Sequence, residues 1–155
     1  MLRLMAIILL FSLMGAGCEK EDEYSALVEG YVVGSFICYE VGSDGQATGN
    51  QTERGYCILL ESSENADSHW PMDFYTFDLP AGLFDFPENI YNSSDGGPAF
   101  FPEDIRNKIK IKFEYRNTNQ SERVRFDCGF YTMMGIPFPW EDYNQVTLRN
   151  LSKIN

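Results

Sequence analysis

From residue 27 onward the chain alternates apolar and polar positions with a period of two in several places, the pattern of strands with one covered and one wet face. The clearest case is residues 109–116, IKIKFEYR. Ile109, Ile111, Phe113 and Tyr115 fall on one face, and Lys110, Lys112, Glu114 and Arg116 on the other. After the turn-like NTNQ, Val124, Phe126 and Cys128 alternate with Arg123, Arg125 and Asp127. The two runs predict a β-hairpin with one solvated face. Residues 27–39 predict a first strand, rich in β-branched and aromatic side chains. Gly30 and Gly34 share one of its faces with Val32 and Phe36, a spacing suited to a sharp bend. Residues 55–61, GYCILLE, are almost wholly apolar and predict a central strand. Residues 72–79 predict a third. The last strand is expected over 145–154. Its apolar positions 146, 148, 151 and 154 lose phase near Arg149 and Asn150, which predicts a bulge.

The intervals read as connections. Residues 41–54 hold Asp44-Gly45, a turn signal, in a polar stretch expected to be a loop. Residues 62–69 predict another loop. Residues 80–107 contain Pro80, Pro87, Pro98 and Pro102, with short helical turns expected near 87–91 and 102–106. Six strands and one irregular or helical segment, with no long amphipathic helix and no repeat, predict an all-β domain. The expected form is a small antiparallel barrel with a short helical insert, and a β-sandwich is the second choice. A long bent first strand, a polar loop after it and an insert after the third strand resemble an OB-type barrel. Fold alone implies no activity.

The N-terminus has a different composition. Arg3 precedes an apolar run, residues 4–14 (LMAIILLFSLM), too short to cross a bilayer and of the length of a signal-peptide core. Gly15, Ala16 and Gly17 then lead to Cys18. This resembles the lipobox of bacterial lipoproteins, although Gly15 stands where a branched aliphatic residue is usual. The resemblance implies a signal peptide over 1–17 and lipidation of Cys18. Glu19-Lys20-Glu21-Asp22-Glu23 follows, a charge run that cannot pack and reads as a hydrated tether over 18–25. It is similar to the surface-export signal of small lipoproteins from the Bacteroidota. The likeness implies a lipid-anchored outer-membrane protein displayed on the cell surface, with the periplasmic face as the alternative. A single β domain is expected over 26–155.

Charge sharpens the function classes. With 12 Lys+Arg against 23 Asp+Glu, the net charge is −11, which disfavours nucleic acid as a partner. Hydrophobic content of 44% and aromatic content of 15% favour a packed core. The single His and the absence of a C-x-x-C or G-x-S-x-G motif leave no distinguished catalytic set. Asp67, His69 and Asp73 match no metal-ligand spacing, and neither a metal nor another cofactor is expected. Cys38, Cys57 and Cys128 all lie in strand-like contexts. They allow three buried thiols or one disulfide, and the sequence does not choose among three pairings.

The expected role is a non-catalytic binding or accessory module for a glycan or a protein partner. The alternative is a structural or assembly component of an envelope complex, and a hydrolase is the least favoured reading. Trp70, Trp140 and Tyr143 are the first candidate ligand-binding residues, because flat rings beside carboxylates suit sugars. The basic face of the expected hairpin, with Lys110, Lys112, Arg123 and Arg125, is second. The plainer use of the rings is to lid the barrel ends. The plainer use of the bases is a solvated strand face that discourages edge pairing.

Overall fold

The computed structural model describes residues 23–64, 69–80, 82–86, 96–106, 108–129 and 138–154. The expected signal peptide, Cys18, the tether as far as Asp22, Asp67 and the helical turn near 87–91 lie outside these residues.

The domain is all-β. Its strands are β1 (Val28–Phe36), β2 (Tyr39–Val41), β3 (Ala47–Gln51), β4 (Gly55–Leu60), β5 (Phe74–Thr76), β6 (Ala99–Phe100), β7 (Lys110–Asn117), β8 (Phe126–Asp127) and β9 (Asn144–Lys153). One short helix, α1 (Glu103–Arg106), precedes β7, and its first free carbonyl partner is Pro102, which accepts from Ile105 and Arg106. This is the helical turn expected at 102–106.

β1 pairs antiparallel with β4 on one edge, from Gly30 against Leu60 to Phe36 against Gly55. On its other edge it pairs with β7 through residues 28–31 and with β6 at Gly34 and Ser35. β4 then pairs with β5, β5 runs parallel to β9, and β9 pairs antiparallel with β7. Followed from neighbour to neighbour, the pairings return to β1. A separate three-stranded sheet has the order β3-β2-β8.

The bend expected in the first strand is present. Val32 faces Ile58 and Gly34 faces Cys57, so Val33 is an extra residue and β1 is bulged there. A Cβ on Gly34 would lie 2.9 Å from the Ala99 carbonyl oxygen, so glycine is what lets β6 approach. The bulge puts Val32 and Val33 into different cores. Val32 joins Tyr56, Ile58, Phe74, Ile111, Phe113 and Val146. Val33 joins Phe36, Cys57, Leu59, Met72, Tyr75 and Phe138. Strand β4 alternates between the two, Tyr56 and Ile58 into the first and Cys57 and Leu59 into the second. Both of its faces are covered, which is why its sequence is a nearly unbroken apolar run.

The expected hairpin of 109–116 with 124–128 does not form. β7 pairs with β1 and β9, whereas β8 pairs with β2 through Tyr39–Asp127 and Glu40–Phe126 contacts. The cause is burial: Ile111 and Phe113 belong to the first core, while Phe126 packs against the second. Two further expectations change. The polar stretch after β1 is itself a hairpin of β2 and β3, closed by the Asp44-Gly45 turn with Gly42 donating to the Gln46 carbonyl. Strand β5 is shorter than the expected 72–79 because carboxylates take over the pairing at its ends. The Leu60 amide donates to Asp73 Oδ2 at 2.7 Å and the Leu148 amide to Asp78 Oδ2 at 2.9 Å.

The bulge expected in the last strand is present. Lys112 faces Ser152 and Glu114 faces Arg149, and Asn150 within the extra step has φ 52°. The chain meets the domain at the far end of β7. Tyr24 lies under the Arg149 guanidinium, 3.9 Å from its carbon, and the Ser25 amide donates to the Tyr115 carbonyl at 2.8 Å.

Candidate functional site

The second core is the aromatic one. Phe36 is fully buried and touches Tyr75, Phe77, Phe126 and Trp140, with ring centroids 4.5–5.7 Å apart. Trp140 opens a short 3-10 turn (Trp140–Asp142), held by the Asp142 amide on the Pro139 carbonyl. Its indole Nε1 donates to the Gly96 carbonyl at 3.1 Å. The polar atom of the ring is thus spent on the backbone, and what remains for a ligand is apolar ring surface.

Beside Trp140 lies a groove of about 570 Å³. Tyr75 and Phe126 belong to the buried side of its lining. Gln120 and the run from Arg123 to Cys128 supply one wall, and Trp140 and Glu141 also line the groove. The alternation of that run sets the wall. Arg123 and Arg125 are exposed, whereas Val124 and Phe126 are half-buried. The Val41 amide donates to the Arg125 carbonyl at 2.9 Å, and the Cys38–Cys128 disulfide fixes the same segment to the start of β2. Of the three cysteine pairings the sequence left open, this is the one formed. Cys57 remains a buried free thiol, its pKa pushed up by burial.

The structure brings Trp140, Arg123 and Arg125 together, and it does not bring the other candidates to them. Trp70 is half-buried and stacks on Phe100 at 5.8 Å, and Tyr143 stacks on Phe138 at 5.6 Å. Both rings serve the packing of the second core. Lys110 and Lys112 lie on β7, which is paired away from β8, so the expected continuous basic stripe is absent. Lys110 is clamped between Glu29 at 2.8 Å and Glu61 at 2.7 Å. Those two carboxylates raise its pKa, and hydrogen bonding to Lys110 lowers that of Glu29. Arg116 meets Glu122 at 2.7 Å, and Arg149 and Asn150 hold Glu114, whose pKa falls.

Arg123 and Arg125 differ from these bases: neither side chain has a hydrogen bond or an ion pair among the described residues. Asp127 in the same wall is engaged, accepting from the Gly129 amide at 2.8 Å. Among the described residues no three His, Cys, Asp or Glu side chains are grouped to hold a metal. His69 is exposed and meets the edge of the Trp70 ring at 4.9 Å.

Sequence reasoning missed Tyr75, Phe126 and Glu141 as groove residues. The first two read only as strand positions, and Glu141 was one of several acids beside Trp140. No protein-family model, curated protein or solved structure matches the chain. The groove therefore stands on its own chemistry.

Proposed function

We propose that this is a small outer-membrane lipoprotein, displayed on the cell surface, whose β domain is a non-catalytic binding or accessory module for a glycan or protein partner. The observation that carries the reading is the groove lined by Trp140 together with Arg123 and Arg125, whose side chains have no hydrogen bond or ion pair among the described residues. A pocket of this size, with apolar ring surface and a few convergent polar groups, is the usual form of a ligand site.

We read the domain as an OB-like barrel. Its support is the ring of neighbours β1-β4-β5-β9-β7, the parallel contact of β5 with β9, the bulged first strand and the helical turn between β5 and β7. The address rests on residues 1–23 alone, on the apolar run before Gly15-Ala16-Gly17-Cys18 and the acidic stretch after it. With Tyr24 held by Arg149, a lipid on Cys18 would keep the domain within about 20 Å of the bilayer, the reach of six extended residues.

The test has two arms. Palmitate labelling and membrane fractionation of Cys18→Ala check the anchor, and a variant that still labels and stays in the membrane fraction overturns it. Protease shaving of intact cells checks display, and a fully protected domain assigns it to the periplasmic face. For binding, the lipidated protein and its Trp140→Ala variant are compared on a saccharide array and in pull-downs from native membranes. Ligands retained equally by both overturn the groove.

The assembly reading has one observation in its favour. Ile37, 40% exposed, precedes the small sheet and Tyr39, 47% exposed, opens its middle strand β2, while its outer strand β3 is exposed along its whole length. A stable complex that is lost with Ile37→Asp and kept with Trp140→Ala favours it.

A further inference from the structure

We infer that the groove takes an acidic saccharide, with a sugar ring against Trp140 and its carboxylate or sulfate on Arg123 and Arg125. The inference rests on the binding-module reading above and narrows its ligand class.

Three features of the groove select this chemistry. The first is the pair of guanidinium groups two residues apart on one strand-like run, both exposed and both without an anionic partner among the described residues. Arginines at this spacing project to the same side and suit a planar carboxylate or a sulfate, to which each donates charge-assisted hydrogen bonds. They contrast with Arg116 and Arg149 of β7 and β9, which are ion-paired with Glu122 and Glu114, in a chain of net charge −11. The second feature is the Trp140 ring, with Nε1 already donated to Gly96, leaving apolar surface against which the C–H face of a sugar can rest. The third is Glu141, which also lines the groove. A carboxylate there accepts hydroxyl hydrogen bonds and repels a ligand charged along its whole length. The combination fits a ligand with one anionic substituent among many hydroxyls, and it disfavours a dense polyanion.

The test uses the full lipidated protein in an uncharged detergent. Binding is measured by calorimetry to uronate-, sialate- and sulfate-bearing oligosaccharides, each beside its neutral methyl-ester or desulfated counterpart. A polyglutamate peptide and inorganic sulfate are run at the same ionic strength. At least one acidic saccharide is expected to bind, its neutral counterpart roughly 10- to 100-fold more weakly. The double variant Arg123→Gln/Arg125→Gln, which removes no side-chain hydrogen bond or ion pair among the described residues, is expected to show a similar loss, and Trp140→Phe a smaller one. Binding of neutral saccharides alone, lost in Trp140→Ala, overturns the acidic-ligand inference and leaves the glycan-binding reading standing. Binding of no saccharide overturns both. Preferential binding of polyglutamate, or binding that the double variant retains, overturns the inference. So does displacement by sulfate at equal concentration.

Discussion

Cys38 and Cys128 are 90 positions apart in sequence and joined by a disulfide, and the bond closes one end of the wall that carries Arg123 and Arg125. Between them the chain passes through most of the domain, so the cross-link removes a long loop from the unfolded ensemble. Chain entropy for a loop of this length gives roughly 4–5 kcal/mol as an upper value. Cys38→Ser/Cys128→Ser is therefore expected to lower unfolding free energy by about 2–4 kcal/mol, measured by urea titration. The loosened wall is expected to weaken groove binding more than the stability loss alone removes folded protein. Unchanged stability in the double variant would show that the bond is not formed in solution.

Packing around Phe36 gives a second expectation. Phe36 faces Gly55 across the β1–β4 ladder, and a Cβ on Gly55 would overlap the Phe36 ring. Gly55→Ala is expected to cost about 1–3 kcal/mol through overpacking. Phe36→Ala is expected to cost about 3–5 kcal/mol, because it empties the centre of the aromatic core. In the Phe36→Leu background the Gly55→Ala penalty is expected to shrink. A double-mutant cycle with no coupling between the two positions refutes this account.

Those residues also show where the sequence was readable. The bend at Gly34, the coverage of both faces of β4 and the phase break near Asn150 all followed from period-two patterning and small residues. Neighbour choice did not. The alternation of residues 109–116 identifies the buried face of β7 and says nothing of which strand lies beside it. The answer depends on Phe126 joining Phe36 and Tyr75 while Ile111 and Phe113 join the other core. Strand β3 escaped notice because all five residues are exposed and polar or small, so no apolar period marks them. The groove was half legible. Trp140 and the Arg123/Arg125 pair were visible as separate signals, but only the β2–β8 pairing and the disulfide bring them to one groove.

Acid should destabilise the fold through two surface clusters. Hydrogen bonding to Lys110 lowers the pKa of Glu29, and Asn150 and then Arg149 lower that of Glu114. A carboxylate whose folded pKa lies below its ordinary value of 4.5 contributes fully above that value and loses its contribution as pH falls through the folded value. Lys110 has the opposite sign: its pKa is raised, so its contribution is complete below 10.5 and fades as pH rises through the folded value. The urea midpoint is expected to be flat between these limits and to drop below pH 4.5. Glu29→Gln and Glu114→Gln should each flatten the acid limb. Because the groups are exposed, 1 M salt should diminish the effect. An acid limb unchanged in both variants would assign it to other carboxylates.

The bulge in β9 gives the most local expectation. Asn150 has a positive φ of 52° and its Nδ2 donates to Glu114 Oε1 at 2.9 Å. Asparagine suits the position twice: it tolerates the left-handed conformation and its amide reaches the carboxylate that Arg149 also holds at 2.5 Å. Asn150→Ala loses both advantages and is expected to cost about 1–2 kcal/mol. Asn150→Gly keeps the backbone conformation and loses only the exposed hydrogen bond, so its cost should stay below about 1 kcal/mol. Asn150→Val should be worst, because a β-branched residue fits this φ poorly. The order Gly, Ala, Val in urea midpoint is the signature of backbone strain at the bulge. If Ala equals Gly, the hydrogen bond to Glu114 accounts for the choice of asparagine. If Ala matches the wild type, the positive φ carries no penalty and the register of β9 against β7 is set by the flanking pairs, Tyr115 with Leu148 and Ile111 with Lys153.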